Sequence, residues 1–384
     1  MSKFHTTVYA GKGKKLINVY GKTKREMKKK ANEIKNDIDQ GKYDSISGSF
    51  EVWAEKWFDE QIKPQYESGY LKPQTIDAYK CSMQHLTGVF GKRKLYTISL
   101  SDFQQFVNRL AKYNPNTGEP TSKKTIRDIL QVWDRIIHYA ELNSIRVPNF
   151  RKSDVINNGR PAVERTAITL SEQDMIIDTP HRAQIAAMIM LFAGLRKSEV
   201  GALKWENIDF NNNLIEVKSS IYFDKSRPAE KKGGKSKAAT RVIPLMPILK
   251  DYLLKYKKEH FCKTGYIFLN TKGSLLSKSG WKKAWDSYMD ELNIKYGYGG
   301  KKPKWRNTKY PFKIRRFTPH SLRHTFATIL YLQGFNEINS MQILGHSDIK
   351  TTVNIYTDLK NFNIYSLSDE YKRRLKNEYL LAKD

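Results

Sequence analysis

The strongest constraint on the fold is a helical periodicity that runs through residues 49 to 140. In four separate stretches, large apolar side chains recur every three or four positions, which aligns them along one face of an α-helix. The four helices are predicted to begin at Ser49, Pro73, Ser101 and Ser122. Amphipathic helices must bury their apolar faces against one another, so we predict that residues 48–147 form a compact helical domain with an aromatic core.

A nearly uninterrupted apolar stretch runs from Ile185 to Ala193. It is shorter than the roughly 18 residues that a membrane-spanning helix needs, so we predict a buried helix at this position. Short β-branched runs at 214–217, 221–223 and 241–245 predict strands after it. Residues 165–384 are therefore predicted to form a mixed α/β domain. The predicted fold class is multidomain and mainly α with a small β-sheet.

The first 45 residues differ in composition from the rest and are predicted to form a small strand–strand–helix module. Strands are expected at 6–10 and 16–20, followed by a helix from Lys24 to about Gln40 with Thr23 as its cap. Residues 1–30 contain ten Lys or Arg and a single acid, Glu26. Two interpretations of residues 1–45 stay open, a solvated basic tail and a module that contacts DNA.

The net charge narrows the classes of partner. Lys and Arg total 68 against 39 Asp and Glu, which gives +29 at pH 7. A chain this basic is expected to bind polyanions, nucleic acid first and an anionic membrane second. No apolar run is long enough to span a bilayer, and residues 1–15 lack the apolar core of a signal peptide. Because two cysteines cannot build a disulfide framework, we expect the protein to work in the reducing cytoplasm.

Candidate catalytic residues cluster near the ends of predicted helices. Pro319 suits the first turn of a helix on which His320 and Arg323, three positions apart, share a face. Gly345 is predicted to end another helix in the left-handed conformation and to leave His346 on the turn. The His-x-x-x-His pattern that begins at His320 lacks the glutamate or cysteine pair of a zinc site, so no metal is predicted.

Four motifs in this part of the chain resemble those of the tyrosine recombinases, the integrases of phages and mobile elements and related chromosome-resolving enzymes. They are A-G-L-R-K-S-E at 193–199, K-S-K-A-A-T-R-V-I-P-L at 235–245, T-P-H-S-L-R-H-T-F-A at 318–327 and L-G-H-S-D-I-K-T-T-V-N-I-Y at 344–356. The order and spacing of the four motifs carry the resemblance, which extends from about residue 165 to 365. It implies site-specific cutting and rejoining of DNA through a 3′-phosphotyrosyl intermediate.

The resemblance also implies the roles of individual side chains in moving protons. Tyr356 corresponds to the nucleophile, and its phenol, with an ordinary pKa near 10, needs help to lose a proton at neutral pH. His320 corresponds to the group that takes or relays that proton. Lys235 corresponds to the general acid that protonates the leaving 5′-oxygen. Lys232 and Lys237 are close by, but Lys235 has the family's spacing of six residues before Arg241.

Three further side chains are implied to stabilise the transition state. Arg196 and Arg323 correspond to the two arginines that clamp the non-bridging phosphate oxygens, and His346 to an additional donor. Glu199 is expected to orient Arg196. Neither a metal nor a cofactor is implied.

The implied partner is double-stranded DNA. Residues 48–147 correspond in position to the family's core-site-binding domain, residues 1–45 to its arm-site-binding module, and residues 165–384 to the catalytic domain with a C-terminal tail. The family assembles on DNA as a tetramer, in some cases with accessory DNA-bending proteins. A basic, aromatic-rich segment at 295–316 is either a solvated loop or a contact to the DNA backbone. Alternative functions are a type IB topoisomerase and a DNA-binding protein without catalysis.

Overall fold

A computed structural model describes residues 4–9, 17–39, 49–114, 117–161, 167–224, 227–232, 240–260, 265–302, 310–346, 349 and 353. The chain folds as two compact units, divided between residues 163 and 164. Helices predominate and the sheets are small, which confirms the predicted mainly α, multidomain fold class. The finer division at 1–45, 48–147 and 165–384 stays a prediction.

The first unit begins with the predicted strand–strand–helix module. Strand β1 (Phe4–Val8) pairs antiparallel with β2 (Ile17–Gly21), and helix α1 (Lys24–Asp39) follows. Thr23 caps α1 by accepting from the amide of Glu26 at 3.1 Å. The strands lie one or two residues from the predicted positions. Their inward side chains are buried together with one residue of α1; these are Val8, Val19 and Met27.

The remainder of the first unit is helical, as the apolar periodicity predicted. Its helices are α2 (Phe50–Trp57), α3 (Lys63–Glu67), α4 (Pro73–Phe90), α5 (Leu100–Lys112) and α6 (Lys123–Leu142). A π-helical turn, Phe58–Ile62, joins α2 to α3 and was not predicted. The centroid of the buried Trp133 ring lies 4.3 to 6.0 Å from those of four phenylalanines, Phe50, Phe90, Phe103 and Phe150. The aromatic side chains therefore form the core of this bundle.

One of the predicted helix starts in this region was wrong. Helix α5 is capped by Ser99 rather than Ser101, because the Ser99 hydroxyl and the Asp102 carboxylate bond to each other's backbone amides at 3.1 and 3.2 Å. Ser49 does precede α2, but its side chain makes no capping hydrogen bond. The predicted start at Ser122 is confirmed, and its hydroxyl caps α6 by accepting from the amide of Thr125.

The second unit surrounds one fully buried helix. Its helices are α7 (Leu170–Ile177), α8 (Gln184–Phe192), α9 (Lys197–Val200), α10 (Pro247–Glu259), α11 (Lys278–Leu292), α12 (Pro319–Leu332) and α13 (Glu337–Leu344). Every residue of α8 is buried, and α7, α10 and α12 pack around it. The apolar stretch thus forms the predicted core helix. In the part of the chain that the structure describes, no helix is long and apolar enough to cross a bilayer.

Among the described residues, the strands of the second unit form two separate antiparallel sheets. One has the order β3 (Ile208–Asp209), β4 (Leu214–Val217), β7 (Arg241–Pro244). The other is a hairpin of β5 (Ser219–Asp224) and β6 (Arg227–Lys232). Strand β6 was missed because its sequence, Arg-Pro-Ala-Glu-Lys-Lys, has no apolar alternation and is held by backbone pairing to β5. Lys231 and Lys232, which begin the basic stretch 231–237 of the sequence, therefore belong to a strand.

Candidate active site

Arg196 is positioned by a sharp turn after the buried helix α8. Gly194 takes a φ of +64°, ends the apolar segment and lets the chain turn into α9, where Arg196 occupies the N-cap position. The backbone amide of Arg196 donates to Glu199 Oε2 at 2.8 Å, and its Nη1 donates to Oε1 at 2.7 Å. This places Glu199 against Arg196, as expected from the sequence.

Arg323 lies one helical turn into α12, which Thr318 caps and Pro319 opens. Its guanidinium donates to the carbonyls of Gly194 and Leu344 and is almost fully buried. Burial first, and then the neighbouring Arg196, lower the pKa of Arg323 to about 9, which still leaves it cationic at neutral pH.

His346 follows the C-terminal end of helix α13. Gly345 ends that helix with a φ of +66°, the left-handed conformation that was predicted. Burial, followed by the charges of Arg323 and Arg196, lowers the pKa of His346 to about 4. The imidazole is therefore neutral at physiological pH and offers one N–H donor.

Arg241 lies at the centre of this arrangement, although the sequence had indicated it only as the reference position for Lys235. Arg241, the first residue of β7, donates Nη1 to Glu199 Oε1 at 3.0 Å and Nη2 to Oε2 at 2.8 Å. Burial on its own would raise the pKa of Glu199, but the hydrogen bonds and charge of Arg241, with the charge of Arg196, lower it to about 2. A signal was present in the sequence, because strand alternation puts Arg241 on the same face as the buried Ile243 and Leu245.

Arg196, His320 and Arg323 open into one cleft of about 550 Å³. Its other walls come from the α8–α9 turn, helix α9, strand β5 and the starts of α11 and α12; they are Leu195, Lys197, Ser198, Ile221, Phe223, Lys278, Trp281, Thr318 and Pro319. Among the described residues that line the cleft none is acidic. The Lys197 ammonium lies over the Trp281 ring, and burial, together with the nearby Lys278, lowers its pKa. A positively charged, half-enclosed cleft of this kind suits a phosphate group.

Two of the six predicted site residues, Lys235 and Tyr356, lie outside the described residues. The other four are brought together. Arg196, His320 and Arg323 line the cleft, and His320 lies close enough to His346 for its protonated form to lower the pKa of His346. His320 itself is exposed on the first turn of α12.

Two arginines of the basic segment at 295–316 form ion pairs within the second unit. Arg315 donates to both carboxylate oxygens of Glu172 at 2.9 and 2.8 Å and to the carbonyl of Ala167 at 3.1 Å. Arg316 contacts Asp286 at 3.2 Å. Residues 303–309 lie outside the described part of the chain, and both interpretations of the segment stay open.

The site can be compared with known proteins. The sequence model of the phage integrase family matches residues 168–362. A tyrosine recombinase XerC-like protein of Caldanaerobacter subterraneus subsp. tengcongensis is 25% identical, with 92% of each chain covered. Among solved structures, the Tn1549 transposon integrase in complex with transposon right end DNA matches with a TM-score of 0.60 and 21% identity, covering 85% of this chain and 98% of the other. A lambda integrase tetramer bound to a Holliday junction matches with a TM-score of 0.56 and 14% identity, covering 89% of each chain.

The family model covers half of the chain and contains all four motifs. The two structural matches agree with it at the level of the fold. This protein therefore belongs to the phage integrase family, the tyrosine-type site-specific DNA recombinases.

Proposed function

We propose that this recombinase cuts and rejoins DNA by transesterification, with Tyr356 as the nucleophile and a 3′-phosphotyrosyl intermediate. The observation that carries the proposal is the convergence of Arg196, Arg323 and His320 on one cleft without an acidic lining residue among those described. Such a cleft binds a phosphodiester and stabilises the negative charge that develops on its non-bridging oxygens.

The two arginines have distinct supports for that task. Arg323 is held from within the unit by two backbone carbonyls, and Arg196 is held by Glu199 and is partly exposed to the cleft. Guanidinium groups that are fixed before the substrate arrives need no reorganisation when charge develops. His346, neutral at physiological pH, would donate its single N–H to a phosphate oxygen.

The proposed step balances with two proton transfers. The Tyr356 oxygen forms a bond to phosphorus while the bond from phosphorus to the 5′-oxygen breaks. His320 takes the phenolic proton, and Lys235 gives a proton to the leaving oxygen. Because one phosphate ester replaces another, the reverse attack by a 5′-hydroxyl rejoins the strand without ATP.

The proposed partner is double-stranded DNA bound by several copies of the chain. The net charge of +29 supports a polyanionic partner, and the fold matches an integrase solved with transposon end DNA and a tetrameric one solved on a Holliday junction. We propose that residues 48–147 contact core sites, residues 1–45 contact arm sites, and four copies assemble on DNA in the cytoplasm. Accessory DNA-bending proteins belong to the same proposal.

Trapping the covalent intermediate tests the proposal directly. The full chain would be incubated with nicked duplexes that span the junctions of DNA flanking its gene, and a denaturation-resistant protein–DNA adduct would be sought on a gel. We expect Tyr356→Phe to abolish the adduct and to keep DNA binding, because only the nucleophilic oxygen is lost. Tyr113→Phe is the matched control, since Tyr113 is exposed at the end of α5. An adduct that persists in Tyr356→Phe would contradict the assignment of the nucleophile.

The same experiment separates the alternative functions. A type IB topoisomerase gains no support from the relatives described above. Such an enzyme would relax supercoiled DNA that lacks a dedicated site. A DNA-binding protein without catalysis would give no adduct with any duplex. Recombination predicts an adduct that depends on the sequence of the site.

A further inference from the structure

We propose that Arg241 is a positioning residue of the active site, which holds both Arg196 and His346 in their working geometry without contacting DNA. The inference rests on the proposed function, since it concerns the same phosphate-binding cleft. Arg241 does not line the cleft, and its side chain is only 5% exposed. Any effect on catalysis must therefore pass through its neighbours.

The first route runs through the carboxylate of Glu199. Oxygen Oε1 accepts from Nη1 of both Arg196 and Arg241, and Oε2 accepts from the Arg196 backbone amide and from Arg241 Nη2. Each oxygen thus joins the two arginines. Because a planar guanidinium that donates to both oxygens fixes the plane of the carboxylate, Arg241 sets the direction from which Glu199 holds Arg196.

The second route runs through the C-terminal end of helix α13. Three consecutive carbonyls, which have no partner inside a helix, accept from three different arginines. Ile343 accepts from Arg241 Nε at 2.8 Å, and the next two carbonyls accept from Arg323 and Arg196. Cationic groups at a helix C-terminus are favourable, so these contacts fix the turn that carries His346.

Arg241 also makes the cleft more positive than it would be with only Arg196, Arg323 and Glu199. Three guanidinium groups share one carboxylate, which gives 3 − 1 = +2 for the cluster. Without Arg241, the buried Glu199 would pair with Arg196 and Arg323 only and would offset more of their charge. Removing a side chain that never meets the substrate would then weaken the attraction for phosphate.

The test uses a substrate whose charge can be changed at one atom. A methylphosphonate at the scissile position replaces one non-bridging oxygen by a methyl group and removes one negative charge. Catalytic contacts to that charge then matter less, whereas a loss of folded protein affects both substrates equally. The ratio of adduct-formation rates on the two substrates, measured with one preparation, cancels the folded fraction.

Arg241→Lys keeps the positive charge and loses the two-oxygen geometry, and Arg241→Gln loses both. We expect Arg241→Lys to slow adduct formation on the phosphate substrate by about 10- to 100-fold, the scale of a small misplacement of a catalytic group. The defect should shrink to less than about threefold on the methylphosphonate, because less charge needs stabilising. Arg241→Gln should show the larger defect on phosphate and the same shrinkage.

Arg315→Gln is the matched control, since it removes another arginine that binds a glutamate through two oxygens and a backbone carbonyl in the same unit. We expect it to leave the ratio unchanged. Equal defects of Arg241→Lys on both substrates, including complete loss on both, would overturn the inference, as would a wild-type rate. If the wild-type protein itself forms no adduct with a recognised site, the proposed function fails and not the role of Arg241 alone.

Discussion

Gly194 offers a test of how backbone geometry supports the active site. Its φ of +64° is unfavourable for any residue with a Cβ, at a cost of about 1–2 kcal/mol. A Cβ at this position would also lie 2.2 Å from Cδ1 of Phe326, a core side chain that is 1% exposed. Moving a packed ring costs about a further 1–3 kcal/mol. Gly194→Ala should therefore destabilise the second unit by about 2–5 kcal/mol, a large part of the roughly 5–15 kcal/mol typical of native proteins.

Gly334→Ala separates the two contributions. Gly334 has a φ of +82° in the same unit, but a Cβ there would meet nothing within 4 Å. We expect it to cost only the backbone contribution, about 1–2 kcal/mol. The difference between the two variants measures the collision with Phe326.

Hydrogen exchange at increasing urea is a suitable assay, because peptides from α12 report on the second unit alone. Gly194→Ala should also reduce adduct formation, since the Gly194 carbonyl accepts from Arg323. In the double variant Gly194→Ala, Phe326→Leu, the smaller side chain relieves the collision, so the combined loss of stability should be smaller than the sum of the single losses. If Gly194→Ala costs no more than Gly334→Ala, or if the two substitutions add, the packing argument is wrong.

Four further predictions concern the chemistry. Arg196→Ala and Arg323→Ala should each raise the barrier to cleavage by roughly 3 kcal/mol, because each removes a charged donor to the transition state; weaker binding with an unchanged single-turnover rate would contradict this. Lys235→Ala should lose cleavage of ordinary DNA and regain it on a substrate with a bridging 5′-sulfur, whose thiolate leaves without a proton; no rescue would rule out Lys235 as the acid. The pKa of Glu199 lies below its ordinary 4.5, at about 2, so wild-type stability should fall as the pH drops from about 4.5 towards 2. Glu199→Gln should lack that part of the fall, and acid-unfolding curves that differ only by a constant offset would refute it. DNA affinity, measured by fluorescence anisotropy, should decline steeply as the salt concentration rises, because the release of counterions from DNA becomes less favourable. A flat curve would exclude a phosphate-binding surface.

Local signals in the sequence predicted the positions of most helices and the candidate residues of the active site. The spacing of apolar residues located the bundle and the buried helix α8, since burying one face of a helix requires that spacing. Gly194 and Gly345 marked the turns that carry Arg196 and His346, because glycine readily adopts a positive φ. The start of α5 was predicted at Ser101, but the structure selects Ser99. The choice depended on a reciprocal contact with Asp102.

What the sequence determined by itself is most of the helices and the motifs that assign the family, because both depend on residues near one another along the chain. Only the tertiary structure decided how Arg196, Arg241 and Arg323 share one carboxylate and one helix end, since these contacts join residues as far apart in the chain as 196 and 345. A buried charge is stable only where partners from distant segments meet it. For that reason strand alternation could indicate only that Arg241 is buried, whereas its role emerges from the contacts of β7 with α9 and α13.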